Sequence, residues 1–461
     1  MDSVDLAFAG AVRQADLIRR GEVSARELVE LYLNRIERLD PLLNAYRVVF
    51  RERVLAVADQ ADGRARAGDR RPLLGVPIAV KDDCDIAGEA TAFGLLPNGA
   101  APADAEVVRR LRSAGAVILG KTNVPELTIT PWTESPTYGA TRNPWDVDRT
   151  PGGTSGGSGV AVAAGLAGAA LGSDGAGSIR IPAACCGIFG LKAQKGRVPT
   201  APAVEPFAGL TSWGPLTRGV ADSALIYDAI KDGGPSFAEA AGREPGRLRI
   251  AVSVRTPPLT GVQADEEQLS GVHTVVERLR DLGHEVVERE IGYTVPIAAN
   301  VIARYLGGIA DEGRRVVRRP ERLSRRSRGY MRMGSAIPAG FVERAKAAAT
   351  ADGAALDRVF DGGVDAVLTP MFTRRPPRVG EYEGRPALWS FTGSVRFVPY
   401  CGGYNHTGQP AASIPATWTA DGFPVGAQLV VPPHGEPVLL SLAAQLEREL
   451  GWLARRPEAA R

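Results

Sequence analysis

Histidine is scarce in this sequence, with four residues in 461: His273, His284, His406 and His434. A nucleophile that relies on an imidazole base, or a metal site built from imidazole ligands, would have to draw on those four. His273 and His284 fall in or beside an ordinary helix–strand pattern, and His434 lies in a loop near the C-terminus. Only His406, in Tyr404-Asn-His-Thr-Gly-Gln409, has site-like neighbours. A structural or substrate-contacting role suits each of the four better than catalysis. Cysteine is equally sparse. Cys84, Cys185, Cys186 and Cys401 show no paired metal-ligand spacing and are too few for a disulfide framework, so the adjacent pair 185–186 reads as small core residues. Long apolar runs are missing too. The weakly polar stretch from Gly156 to Gly172 is mostly Gly and Ala and too short to span a bilayer. The start, MDSVDLAFAG, lacks the basic opening and apolar run of a signal peptide. A cytoplasmic protein with no membrane partner is expected.

The chain is long enough for one large domain or two ordinary ones. With 44% hydrophobic and 23% charged residues, it has the balance of a soluble globular protein. The net charge of +3 says little about partners, but its distribution says more. From Arg314 to Arg332, nine of 19 residues are arginine. A solvated helix face explains such a run, and so does a docking patch for an acidic partner or a carboxylate- or phosphate-bearing substrate. No nucleic-acid-binding motif accompanies it, so nucleic acid is not an expected partner. A homodimer is one assembly open to such a chain.

Residues 1–70 read as a helical segment. Ser24-Ala-Arg-Glu27 is a capping box, followed by apolar residues at Leu28, Leu31, Leu33 and Ile36 on a helical repeat. A second helix is predicted over about 52–67. Then the texture changes: Gly75-Val-Pro-Ile-Ala-Val80 is a short buried strand that delivers Lys81-Asp82-Asp83 to its C-terminal end. A helix near 105–114 and a strand at 116–119 follow. This alternation argues for an α/β core, beginning with residues 71–240. A strand (249–254), a helix (266–282) and a strand (284–288) come next. A helical, arginine-rich stretch at about 295–360 reads as an insertion or cap, and 366–370 resumes the core. Segments 411–417 and 423–431 flank Asp421-Gly422, a hairpin signal, and a last helix covers about 436–450.

Serine is a weak nucleophile until a base takes its proton. With histidine unsuited, lysine is the candidate base, because burial can lower its pKa enough to leave a neutral amine. Lys81, at the end of an apolar strand, is placed for that; a lysine merely snorkelling at a strand end is the plain alternative. Two Gly-rich turns supply the serines: Pro151-Gly-Gly-Thr-Ser-Gly-Gly-Ser-Gly159 and Ser173-Asp-Gly-Ala-Gly-Ser178. So many glycines in the opening stretch imply unusual backbone conformations or close approaches.

These segments, with Gly187-Ile-Phe-Gly-Leu-Lys192 after them, closely resemble the amidase signature. Gly75-Val-Pro-Ile-Ala-Val-Lys-Asp82, Gly120-Lys-Thr-Asn123 and Thr141-Arg-Asn-Pro-Trp145 match the family's companion motifs, as do Thr407-Gly-Gln-Pro410 and Gly422-Phe-Pro-Val-Gly-Ala-Gln428. The matches run in order from about residue 25 to 450. The resemblance implies one α/β domain spanning 1–461, with a mixed, mostly parallel central sheet covered by helices on both faces. It implies an amidohydrolase acting on a small-molecule amide with no metal or organic cofactor. The family's Ser–cis-Ser–Lys triad falls on Ser178 as nucleophile, Thr154 as bridge and Lys81 as base, threonine standing where the family has serine. Threonine keeps the relaying hydroxyl but adds a methyl and restricts χ1. The oxyanion donors would be the N–H groups of Gly175, Ala176, Gly177 and Ser178. Ala176 stands where the family carries glycine, and a positive φ there would strain alanine. Asp174 and Arg180 resemble a supporting ion pair, Ser155 a supporting hydroxyl, and the Thr128 carbonyl a contact for the substrate amide.

Two rival readings stand beside this one. Gly153-Thr-Ser155-Gly-Gly157 also fits the G-x-S-x-G nucleophile elbow, with Ser155 as nucleophile. A family member that has lost hydrolysis and serves as a binding or amidotransferase-type subunit is the other. The substrate is not legible, but Trp389, Phe391, Phe397, Tyr400 and Tyr404 point to an apolar acyl pocket if they are not plain core.

Overall fold

The short apolar segments of the sequence become neighbours in one sheet. The computed structural model describes residues 2–460. Its strands are β1 (Tyr46–Val49), β2 (Pro77–Lys81), β3 (Val117–Thr122), β4 (Glu134–Ser135), β5 (Gly139–Ala140), β6 (Ala169–Asp174), β7 (Phe189–Lys192), β8 (Ser212–Thr217), β9 (Arg249–Val252), β10 (Glu285–Glu288), β11 (Ala366–Pro370), β12 (Ala411–Trp418) and β13 (Pro424–Val430). β4 and β5 form a small hairpin; the other eleven lie in the order β1-β3-β2-β6-β8-β7-β12-β13-β11-β9-β10. The sheet is mixed. β3, β2 and β6 are parallel to one another, and so are β11, β9 and β10. Antiparallel pairings join these blocks through β8, β7, β12 and β13. The β12–β13 hairpin closes on Gly422, as its Asp-Gly signal predicts.

Side chains alternate across a strand, so each strand feeds two cores. Ile78 and Val80 of β2 and Ala169 and Leu171 of β6 pack with Val107, Leu111, Val220, Leu440 and Leu446 from helices Glu106–Ser113, Val220–Ile230 and Glu436–Leu450. The intervening Ala79 and Ala170 belong to a second core with Tyr32, Val160, Ala161 and Ala184, from helices Ala25–Leu43, Gly156–Ala163 and Arg180–Cys185. Helices therefore cover both faces. Ser24 and Glu27 form the expected capping box, the Glu27 amide donating to Ser24 Oγ (3.0 Å) and the Ser24 amide to the Glu27 carboxylate (2.7 Å). Buried Arg35 from the same helix donates to the carbonyls of Ala164 and Gly165, a cation placed on the C-terminal end of helix Gly156–Ala163. The arginine-rich stretch forms helices Val295–Val316, Arg325–Ser335 and Ala339–Asp357. No helix among the described residues is long and apolar enough to cross a membrane.

The small-residue helix Gly156–Ala163 owes its composition to distance. A Cβ on Gly157 would stand 2.5 Å from the Ala45 carbonyl oxygen and 2.5 Å from the Asn123 nitrogen, both backbone atoms that cannot swing aside. Gly157→Ala should therefore destabilise the protein by about 1–3 kcal/mol, the range for overpacking a tight interior. Thermal or urea unfolding beside the wild type checks this, and an unchanged midpoint would contradict it.

Candidate active site

Parallel neighbours β2 and β6 end side by side, β2 on Lys81 and β6 on Ser173-Asp174. Carboxyl ends of parallel strands are where open α/β sheets place their ligands. Lys81 has no exposed surface. Its Nζ donates to Thr154 Oγ1 (2.6 Å) and Ser173 Oγ (2.7 Å) and lies 2.9 Å from Asp83 Oδ2. Ser173 Oγ in turn donates to the same Asp83 oxygen at 2.6 Å. Burial pushes the lysine's pKa down; Asp83 opposes that, with smaller opposing contributions from Asp174 and Cys84. Thr154 follows a cis peptide bond from Gly153 and stands two residues before helix Gly156–Ala163, whose N-cap is Ser155. Ser178, almost fully buried, lines the same cleft as Lys81 and Thr154.

The turn from β6 to Ser178 is held by one carboxylate. Asp174 accepts from the amides of Gly177 (2.6 Å) and Ile179 (3.2 Å), from Arg180 Nε and Nη2 (both 3.0 Å) and from Asn405 Nδ2 (2.8 Å). Arg180 also donates to Gln428 Oε1 (2.8 Å) and Asn405 Oδ1 (2.6 Å). All four side chains are buried. Burial raises the Asp174 pKa, but Arg180 and the hydrogen bonds outweigh it and hold the carboxyl well below its usual range. Gly177, with φ of 119°, takes the turn's left-handed conformation, whereas Ala176 does not have positive φ. The strain foreseen for alanine is absent because the demanding position is the next one. One expected oxyanion donor is corrected: the Gly177 N–H is already spent on Asp174. The N–H groups of Gly175, Ala176 and Ser178 have no protein acceptor among the described residues.

The model of the Amidase family matches residues 27–440. The chain belongs to the amidase signature family. A Mycobacterium tuberculosis protein named "Putative amidase AmiB2" is 50% identical, covering 99% of both chains. The 6-aminohexanoate-cyclic-dimer hydrolase of Paenarthrobacter ureafaciens is 32% identical over 99% of this chain and 98% of its own. A solved 6-aminohexanoate cyclic dimer hydrolase, complexed with substrate, superposes with a TM-score of 0.90 at 31% identity, covering 99% of this chain and 100% of that one. The protein is thus an amidase, a hydrolase of amide carbon–nitrogen bonds.

The amidase cleft is open to solvent, and its space together with the solvent-filled mouth comes to about 1440 Å³. Of the residues singled out in the sequence, Lys81, Thr128, Thr154, Gly175, Ala176 and Ser178 line it. Ser155 does not; its buried hydroxyl donates to the Ser173 carbonyl (3.2 Å), so the elbow reading fails on geometry. Thr128, at the cleft wall, has positive φ, as does the buried Leu127 before it. The four histidines lie outside the cleft: His284 bonds Gln445 and the Leu248 amide, His406 bonds Asp352 and Arg304, and His434 bonds Arg197. Sequence reasoning missed Asp83 and Ser173 as cleft residues, although both stand inside quoted motifs. It also missed Asn405 and Gln428, whose signal was a polar residue in each C-terminal motif. The five aromatics need correction. Phe391 lines the cleft; Phe397, Tyr400 and Tyr404 are core, and Trp389 is exposed. The apolar walls come instead from Phe93, Ile129, Phe207, Trp213, Ile302 and Tyr305. In the arginine-rich stretch, Arg314 pairs with Asp311, and Arg315 pairs with Glu312 at the cleft.

Removing Arg180 leaves Asp174 as an uncompensated buried charge. Arg180→Ala should cost about 3–5 kcal/mol of stability, read as a lower urea midpoint. A variant as stable as the wild type would show that the pair does not brace the turn.

Proposed function

We propose that this amidase cleaves linear carboxylic amides through an acyl-enzyme on Ser178, with Lys81 as base and Thr154 as relay. The observation that carries the reading is the 2.6 Å contact between Lys81 Nζ and Thr154 Oγ1 at the wall of a cleft shared with Ser178. A neutral amine has two N–H groups and one lone pair. In the ammonium form Thr154, Ser173 and Asp83 all accept from Nζ; with one proton gone, Ser173 and Asp83 keep the two remaining donors, which leaves the lone pair for the Thr154 hydroxyl. Thr154 passes its proton to Lys81 and receives that of Ser178, and Ser178 Oγ attacks the amide carbonyl. The N–H groups of Gly175, Ala176 and Ser178 stabilise the oxyanion in this scheme. The proton then returns along the same path to the leaving amine, and water hydrolyses the ester on Ser178. The Thr128 carbonyl is assigned to the substrate N–H. Apolar walls suit an amide with apolar substituents.

Neither departure from the family pattern favours a disabled enzyme: Thr154 offers the bridging oxygen, and Ala176 is free of left-handed backbone. A fluorophosphonate probe should label Ser178, and Ser178→Ala should abolish labelling. Thr154→Ser should stay within about tenfold of the wild type, whereas Thr154→Val should lose about 10²–10⁴-fold, the span of general acid–base contributions. Labelling of Ser155, or a fully active Thr154→Val, would refute the scheme.

A further inference from the structure

We infer that Asp83 is a positioning residue for this reaction, fixing the orientation and the charge state of the Lys81 amine and so setting the pH below which the enzyme idles. The inference rests on the reading of Lys81 as the base. Asp83 follows two residues after Lys81, just past the end of β2, and its side chain turns back on the amine. One carboxylate oxygen, Oδ2, takes both the Ser173 hydroxyl (2.6 Å) and Lys81 (2.9 Å), closing a three-membered circuit of Lys81, Ser173 and Asp83. The other oxygen, Oδ1, is buried with no hydrogen-bond partner. The negative charge is therefore matched by Lys81 alone.

The remaining charges around the amine do not duplicate this role. Asp174, at the end of β6, is neutralised by Arg180 at 3.0 Å. Asp82 is held by Arg47 (2.6 Å) and Lys121 (2.8 Å). The Cys84 thiol is kept protonated by burial, which raises its pKa. Among the described residues Asp83 is thus the carboxylate in direct contact with the Lys81 amine. An anion at this distance favours the ammonium form, against the desolvation that favours the amine. Only the amine can accept a proton from Thr154, so Asp83 trades activity at low pH for a lone pair aimed at the relay.

The test follows the rate of Ser178 labelling by a fluorophosphonate probe against pH, for the full-length wild type, Asp83→Asn and Lys81→Ala. Asparagine preserves shape and an acceptor for Ser173 but removes the charge. The acid limb of Asp83→Asn should move down by about 1–3 pH units, the range for losing an opposite charge in contact, with the alkaline plateau within a few-fold of the wild type. A limb that stays in place overturns the inference, as does loss of labelling at every pH in the folded variant. Should Asp83→Asn not fold, Asp83→Ser carries the same expectation and the same refutation. Lys81→Ala separates the two levels. Wild-type labelling in Lys81→Ala sinks the base assignment itself; abolished labelling there, with an unmoved Asp83→Asn limb, sinks only the role of Asp83.

Discussion

A lysine side chain buried at the end of a central strand is the constraint from which the site follows. Burying a charge without partners is prohibitive, and proteins answer by pairing the group or by shifting its pKa. Lys81 shows both responses. Its amine is ringed by Thr154, Ser173 and Asp83, while burial lowers its pKa. The elements carrying those oxygens must therefore converge. β2 and β6 have to run parallel and end together, and helix Gly156–Ala163 has to start beside them. That last demand reaches into composition, since the helix approaches backbone near Ala45 and Asn123 closely enough to require glycine at 157.

A second buried charge pair performs a different task on the neighbouring turn. Asp174 and Arg180 gather Asn405 and Gln428 from segments more than 200 residues away. Their bonds commit the Gly177 amide to structure and leave those of Gly175, Ala176 and Ser178 without protein acceptors. Fixed donors of that kind need no reorganisation during reaction, which is the physical basis of their value to catalysis. The C-terminal hairpin thus serves the turn before Ser178 from across the sheet.

Much of this was legible in order of residues. Strand ends at Lys81, the capping box at Ser24 and Glu27, and the hairpin around Gly422 each depend on neighbours in sequence, and each formed as read. What escaped was set by three-dimensional packing. Ser173 and Asp83 meet only because β2 and β6 pair, and no local pattern announces that meeting. The positive φ falls on Gly177 rather than Ala176, a detail of one turn that a family pattern blurs. Aromatics near residue 400 looked like pocket walls by type, yet most fill the core, while Phe93, Phe207 and Trp213 from distant segments form the walls.

The central claim is a covalent step on Ser178, and it can be tested by catching the intermediate. The enzyme is mixed with a p-nitrophenyl ester of an apolar acid, quenched in acid during turnover, digested and sequenced by tandem mass spectrometry. The account predicts the acyl mass on the peptide containing Ser178, and no such mass in Ser178→Ala. Acyl carried by Ser155, or turnover of the ester by folded Ser178→Ala at the wild-type rate, would contradict it.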